Sequence, residues 1–301
     1  MVGVVVVSYK SYKDTADYVL NQLSKLDVDL HVVIVDVGVS TPNKALIFDQ
    51  LKYDFDQKSF DFGVIKQLTF LSFKENLGYA KGNMKGLDYL KANSKKIKYV
   101  LISNNDIIIR DTNIISVLID VIEGYANAVS IGPKVIGLDG LDQSPHKKMS
   151  IWSMIVFPKL FWFLQFLRKN FVEVIPNANE GTYYRLMGSF FLIDLEKFMG
   201  SGGFDLNTFL YGEELILAEI FIKNKLLTIY TDQVSVVHNH NQTISKHIKS
   251  SKNDKIFQES LLYYFKRYRN ASNISLNIAK ISILFNKNSK FLIRRLIQNW
   301  K

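Results

Sequence analysis

The 301-residue chain contains no cysteine. That excludes a disulfide framework, a thiolate nucleophile and any cysteine-ligated zinc or iron–sulfur centre, and it fits a reducing compartment. A secretion signal of ordinary form is also missing. Met1, Val2 and Gly3 lead into Val4 to Val7 with no basic n-region and no small-residue cleavage site, so a strand and a cytoplasmic location are expected. Two nucleotide fingerprints are absent as well. The turn after the first apolar run reads Ser8, Tyr9, Lys10, Ser11, Tyr12, with no glycine to bring backbone amides onto a pyrophosphate, and no Gly-Lys-Ser/Thr end of a P-loop occurs anywhere. There is no internal repeat and no low-complexity tract. The most aromatic stretch, 151–167, is interrupted by Pro158 and Lys159 and is short for a bilayer span, so a buried or interfacial helix is expected there.

What is present is a core-forming composition, 48% hydrophobic and 22% charged, over a length that suits a large α/β unit with an appendage. The net charge of +10 is unevenly placed. Residues 246–301 carry 13 Lys/Arg against only Asp254 and Glu259, which leaves the first 245 residues near neutrality. A near-neutral body with a basic tail suggests a polyanionic surface under the tail, either membrane or nucleic acid.

Along the chain, Val4 to Val7 reads as a strand, followed by a turn and a helix around Tyr18, Leu20, Leu23 and Leu26. Further apolar runs, His31 to Val35 and Tyr99 to Ile102, end in Asp36 and in Asn104, Asn105, Asp106, with a helix-compatible segment at 80–92 between them. Such alternation predicts a mostly parallel sheet covered on both faces, with its ligand edge at the C-terminal strand ends. Past residue 130 the alternation stops. Strands are expected near 132–136, 186–195 and 226–237, with a loop over 137–146 and a glycine-rich turn opening a helix over 202–224.

Three clusters could carry chemistry. Asp106, just past a strand end with Asn104 and Asn105, offers the hard oxygen ligands that Mg²⁺ or Mn²⁺ prefer, although Asn and Asp also end strands through turn hydrogen bonds. Glu213 and Glu214 follow Phe209, Leu210, Tyr211 and Gly212. They read either as a dipole-favoured helix cap or as a general base. His238, with Asn239 and His240, follows a strand and could complete a metal shell or be a surface histidine.

Taken in order, these clusters and the segments around them resemble glycosyltransferase family 2, the inverting GT-A enzymes, and especially its bacterial rhamnosyltransferase-like branch. The resemblance spans roughly residues 2–245. It rests on Val6 to Lys10, on Ile34, Val35 and Asp36, on Asn76 to Asn83, on Asn104 to Asp106, on Gly132 to Lys134 and on Met187 to Phe190. Its most specific stretch runs from Gly203, Phe204 and Asp205 through Tyr211, Gly212, Glu213 and Glu214 to His238.

The resemblance implies a GT-A fold, a Rossmann-like mostly parallel sheet flanked by helices. Residues 1–130 would form the nucleotide-sugar half, 131–245 the acceptor and catalytic half, and 246–301 a C-terminal amphipathic helical tail. It further implies donor contacts from Ser8, Tyr9, Asp36, Asn76, Lys81, Asn83, Asn104 and Asn105, and a Mn²⁺ or Mg²⁺ ion held by Asp106 and His238. The base would be Glu214, or Glu213 beside it. Three departures from the family pattern stand out: Val37 where a polar residue is usual, Asn104 for the first Asp, and Glu214 for the catalytic Asp. The implied reaction moves a sugar from a nucleotide-sugar donor, dTDP-rhamnose or a UDP-hexose, to a lipid-linked saccharide acceptor. The chain would then be peripheral on the inner face of the plasma membrane, in surface polysaccharide synthesis (O-antigen or capsule).

The tail adds Leu261, Leu262, Phe265, Tyr268, Ile278, Ile281, Leu284 and Phe285 at helical spacing among basic residues and ends in Trp300, which predicts an amphipathic helix on an anionic membrane or else one packed on the core. The rival reading is a nucleic-acid-binding protein that grips phosphates with this tail. No base-stacking module is recognisable, so no nucleic-acid partner is expected.

Overall fold

A computed structural model describes residues 1–38, 42–58, 61–94, 96–148, 151, 181–239 and 250–281. The expected helix over 151–167, apart from Ile151, together with His240, Leu284, Phe285 and the terminal Lys290–Lys301 segment, lies outside the described residues.

The first half alternates as anticipated: β1 (Val2–Ser8), α1 (Tyr12–Asn21), β2 (Leu30–Val37), α2 (Pro42–Gln57), β3 (Ile65–Phe73), α3 (Gly78–Asn93) and β4 (Tyr99–Ser103). A short β5 (Ile107–Ile109), α4 (Ile114–Glu123) and β6 (Ala128–Gly137) follow. Beyond these come β7 (Thr182–Tyr183), β8 (Phe190–Asp194), α5 (Leu195–Gly200), α6 (Glu213–Lys223), β9 (Leu227–His238) and α7 (Ser250–Arg267). The nine strands of the described residues join one sheet, in the order β3-β2-β1-β4-β8-β6-β9-β5, with β7 on β9. β3, β2, β1 and β4 run parallel, β8 is antiparallel to both β4 and β6, and β9 is parallel to β6 and antiparallel to β5. The expected strand over 186–195 is shorter than anticipated: it begins only at Phe190, and it ends at Asp194, which caps α5 by accepting from Lys197 N.

Period-two alternation divides the core between the two sheet faces. Val4, Val6, Val32 and Ile34 pack with α1, α2 and α4 on one side. Val5, Val33, Val35 and Val37 pack with α3, α5 and α6 on the other. Val37 is thus apolar because it fills the α3 face, which accounts for one departure from the resembled pattern. Side chains buried as completely as Phe198, Leu87 and Leu101 contribute about 1.5–3 kcal/mol each. α3 comes close to β1 because Gly82 and Gly86 have no Cβ, and a Cβ at either would press on Val7 or Val5.

A third apolar cluster joins the C-terminal segment to the body. Tyr264 and Phe265 of α7, with Leu276 and Ala279 of a helical stretch at 273–281, pack around Ile216 of α6. The apolar face anticipated from Leu261, Leu262, Phe265 and Tyr268 is present, and it is turned to the protein. Glu219 of α6 reinforces this contact. Its largely buried carboxylate lies 3.3 Å from Lys148 and 3.5 Å from Arg269 and accepts from Tyr184 Oη at 2.7 Å.

Candidate functional site

The C-terminal ends of β1, β2 and β4 lie side by side. Ser8 is in register with Asp36, and Val6 with Ser103. Asp36 is fully buried, and its carboxylate, after burial itself, is what raises the nearby Tyr12 hydroxyl above its ordinary pKa. Tyr9 lays its ring against the backbone of Gly38, with Lys10 Nζ 5.4 Å from the ring centre.

After β4 the chain turns through Asn104, Asn105 and Asp106, and the turn is fixed by its neighbours. Asn105 Nδ2 donates to Ser11 Oγ and Thr15 Oγ1, both at 2.8 Å, so this side chain ties the turn to the start of α1. Asn104 N donates to Ser189 O at 2.8 Å, and Asn239 N donates to Asp106 O at 2.9 Å. β5 then pairs Ile107 with His238, which brings the imidazole to Asp106: Nε2 lies 3.5 Å from Oδ1. His238 is 2% exposed, and its Nδ1 is 2.8 Å from Gln143 Oε1. Asp106 Oδ1 is buried and accepts no hydrogen bond from the described residues. A buried, unsatisfied carboxylate oxygen beside an imidazole nitrogen is a costly arrangement that a cation would relieve.

A second group sits across the Met187–Ser189 segment. Tyr79, in the first turn of α3, donates its hydroxyl to Gly188 O. Gly188 in turn abuts Glu214, and a Cβ there would collide with the Glu214 carboxylate. Glu214 is half-buried and borders a small cleft whose lining includes Tyr184, Arg185, Met187 and Phe221. Glu213 behaves differently. It is 5% exposed, its Oε1 has no hydrogen-bond partner among the described residues, and burial, with the Glu214 charge adding, pushes its carboxyl up to about 8. Ser189 Oγ is a further buried polar atom without a partner at this seam.

The two glutamates are presented by a strained turn. Tyr211 (φ 73°) and Gly212 (φ 86°) are both left-handed, which is uncommon for a residue with a large side chain. α7 braces this turn: Ser260 Oγ donates to Leu210 O at 2.9 Å, and the Phe257 ring packs edge-on to Tyr211 at 5.7 Å. Asp205 accepts from Tyr263, Tyr268 and Asn207. Burial would raise its carboxyl, but the hydrogen bonds from Tyr268, Asn207 and Tyr263 hold it below its ordinary value, as befits an anchor of α7.

The anticipated residues thus fall into three sets. Ser8, Tyr9, Asp36, Asn104, Asn105, Asp106 and His238 share the strand-end edge, and Glu213 and Glu214 join it through Gly188 and Ser189. Lys81 and Asn83 belong to α3, and Asn76 lies just before it. Asn76 Oδ1 accepts from Gly78 N, Asn83 donates to Tyr79 O at 3.0 Å within the helix, and Lys81 is exposed. Sequence reasoning missed Gln143, the role of Tyr79, and the bracing residues Phe257, Ser260 and Tyr263. None of them sits in a pattern that periodicity could expose.

No family model and no curated protein matches the chain. Solved structures do. The crystal structure of S. aureus TarS aligns over 90% of this chain and 44% of its own, with a TM-score of 0.53 and 15% identity. GalNAc-T7 with UDP, GalNAc and Mn²⁺ aligns over 89% and 49%, with a TM-score of 0.59 and 14% identity. The mannosyltransferase PcManGT from Pyrobaculum calidifontis, in complex with GDP-Man and Mn²⁺, aligns over 99% and 82%, with a TM-score of 0.56 and 12% identity. The chain therefore spans less than half the length of the first two. At such identities the likeness is one of architecture, and the architecture of this chain is the GT-A glycosyltransferase fold.

Proposed function

We propose that the chain is an inverting, metal-dependent glycosyltransferase that moves a sugar from a nucleotide-sugar donor, dTDP-rhamnose or a UDP-hexose, to a hydroxyl of a lipid-linked saccharide. The observation that carries this reading is the unsatisfied Asp106 Oδ1 facing His238 Nε2 at the strand-end edge, one hydrogen bond away from the segment that meets Glu214. Residues that fit a hard divalent ion are present: Asp106 and His238 would hold Mn²⁺ or Mg²⁺, which would supply positive charge for the departing diphosphate.

The protein's own residues do the rest. The Asp36 carboxylate and the Ser8–Tyr9 turn would meet the nucleoside at the ends of β1 and β2. Glu214, bordering the cleft, would accept the proton of the acceptor hydroxyl as its oxygen bonds to the anomeric carbon and the bond from that carbon to the diphosphate oxygen breaks on the opposite face. Glu213 is almost fully buried, and burial and the Glu214 charge push its carboxyl up, which supports Glu214 rather than Glu213 as the base.

Membrane docking belongs to the same proposal. Its support is the excess of basic residues after position 246 and the exposure of Ile274, Ile278 and Ile281, which lie on one face of the 273–281 helix, opposite the buried Leu276 and Ala279. Among the described residues no helix is long and apolar enough to cross a membrane.

The test is a thermal-shift screen of nucleotide sugars with and without Mn²⁺, followed by transfer assays with the best donor. Asp106→Ala should remove the Mn²⁺-dependent part of the shift. Glu214→Gln should keep the shift and lower transfer by at least about 10²-fold. Near-normal turnover in Glu214→Gln would remove it from the base role, and an unchanged metal dependence in Asp106→Ala would end the metal assignment.

A further inference from the structure

Resting on the metal site of the preceding section, we infer that Gln143 is the positioning residue that holds His238 in its Nδ1–H tautomer, so that the Nε2 lone pair faces Asp106. An imidazole presents one nitrogen to a cation only if its other nitrogen carries the proton, and a hydrogen-bond acceptor on that second nitrogen selects the tautomer. Here the acceptor is Gln143 Oε1, 2.8 Å from Nδ1.

The two ends of the amide face different ways: Oε1 meets the ring, and Nε2 lies against Gly137, where an added Cβ would run into it and into Asp139 Oδ1. The loop itself is ordered. Gly137 N donates to Leu141 O at 2.9 Å, Leu141 N to Asp139 Oδ1 at 3.1 Å, and Gln143 N to Val135 O at 2.8 Å, while Lys134 pairs with Asp142 at 3.4 Å.

The opposite tautomer fits poorly. An Nε2–H directed at Asp106 Oδ1 would span 3.5 Å, too long for a good charge-assisted bond, and Nδ1 would then confront a carbonyl oxygen with no proton between them. With the proton on Nδ1, Nε2 and Asp106 Oδ1 stand 3.5 Å apart, a separation that two ligands of one divalent ion can have.

The experiment uses the full chain with Mn²⁺ as the probe. Free Mn²⁺ is counted by electron paramagnetic resonance, and the ring nitrogens of His238 are observed by ¹⁵N NMR in the metal-free protein. The expected result is an Nδ1–H signature for His238 in the unaltered protein and its loss in Gln143→Leu, with Mn²⁺ bound 10- to 100-fold more weakly by that variant. Gln143→Glu, which keeps an acceptor on Nδ1, should restore both. An Nε2–H tautomer in the unaltered protein overturns the inference, as does Mn²⁺ affinity in Gln143→Leu within twofold of the original. If the unaltered protein shows the Nδ1–H signature but binds no Mn²⁺, the metal reading fails while the role of Gln143 stands.

Discussion

Glu219 offers a quantitative test of whether the C-terminal segment is part of the folded body. Its carboxylate, 11% exposed, serves two nearly buried cations, Lys148 at 13% and Arg269 at 7% exposure, as well as the Tyr184 hydroxyl. Glu219→Gln preserves volume and an oxygen for Tyr184 but leaves two like charges in a poorly solvated space. Breaking a buried pair in this way costs about 3–5 kcal/mol. Arg269→Met removes one cation and leaves a neutral Glu219–Lys148 pair, so its cost should be nearer that of a lost charged hydrogen bond, about 1.5–3 kcal/mol. Urea unfolding followed by far-UV circular dichroism gives both values from the shift in midpoint at constant slope. Because the groups are shielded from solvent, the ordering should persist in 1 M salt. Glu219→Gln no more destabilising than Arg269→Met, or both within 0.5 kcal/mol of the parent, would refute the account of α7 as a packed element.

Other outcomes follow from the same geometry. Burial and the Glu214 charge push the folded-state Glu213 carboxyl up to about 8, against about 4.3 for an unfolded glutamate. The folded state therefore holds the extra proton across that window, and stability should fall as pH rises from about 5 to 8. Glu213→Gln should flatten that fall, which thermal melts at pH 5, 7 and 9 would measure; an unchanged profile would show that Glu213 ionises normally. Truncation after residue 249 should yield insoluble or protease-sensitive protein, because it uncovers Ile216 and deprives Glu219 of Arg269. Recovery of a stable, cooperatively unfolding fragment ending at 249 would contradict this. Sedimentation of the full chain with anionic but not neutral liposomes at low salt should be lost on Ile274→Ser/Ile278→Ser/Ile281→Ser substitution, and retention would relocate the membrane contact.

The amino-acid sequence made the central strands and the acidic and histidine clusters legible because each is strongly patterned. Val4 to Val7 and His31 to Val35 are β-branched runs buried on both faces, and such runs announce a central strand. β3 is an edge strand with few buried positions, and β5 spans only Ile107 to Ile109, so neither shows a period. The tail shows the opposite difficulty. An amphipathic period reveals that one face of a helix is apolar but not what that face meets, and here Phe265 meets Ile216. Gln143 was invisible because its role depends on a loop bringing it to a histidine 95 positions away, a juxtaposition that no spacing encodes. Glu213 and Glu214, adjacent and identical in sequence, are told apart only by burial, the first almost fully enclosed and the second half-buried.

The placement of β8 sets an order of events during synthesis. The parallel block β3-β2-β1-β4 is complete once residue 103 has emerged, yet the outer edge of β4 stays open until Phe190–Asp194 arrives to pair with both β4 and β6. At the usual 5–20 residues per second, roughly ninety further residues leave that edge bare on the ribosome for several seconds or longer. An unpaired hydrophobic strand edge invites association with other chains, so nascent intermediates of this protein should be strong clients for chaperones that shield such edges. The strand that closes the edge also carries Ser189 to Asn104. Sealing of the sheet and assembly of the turn that holds Asp106 are therefore a single late step.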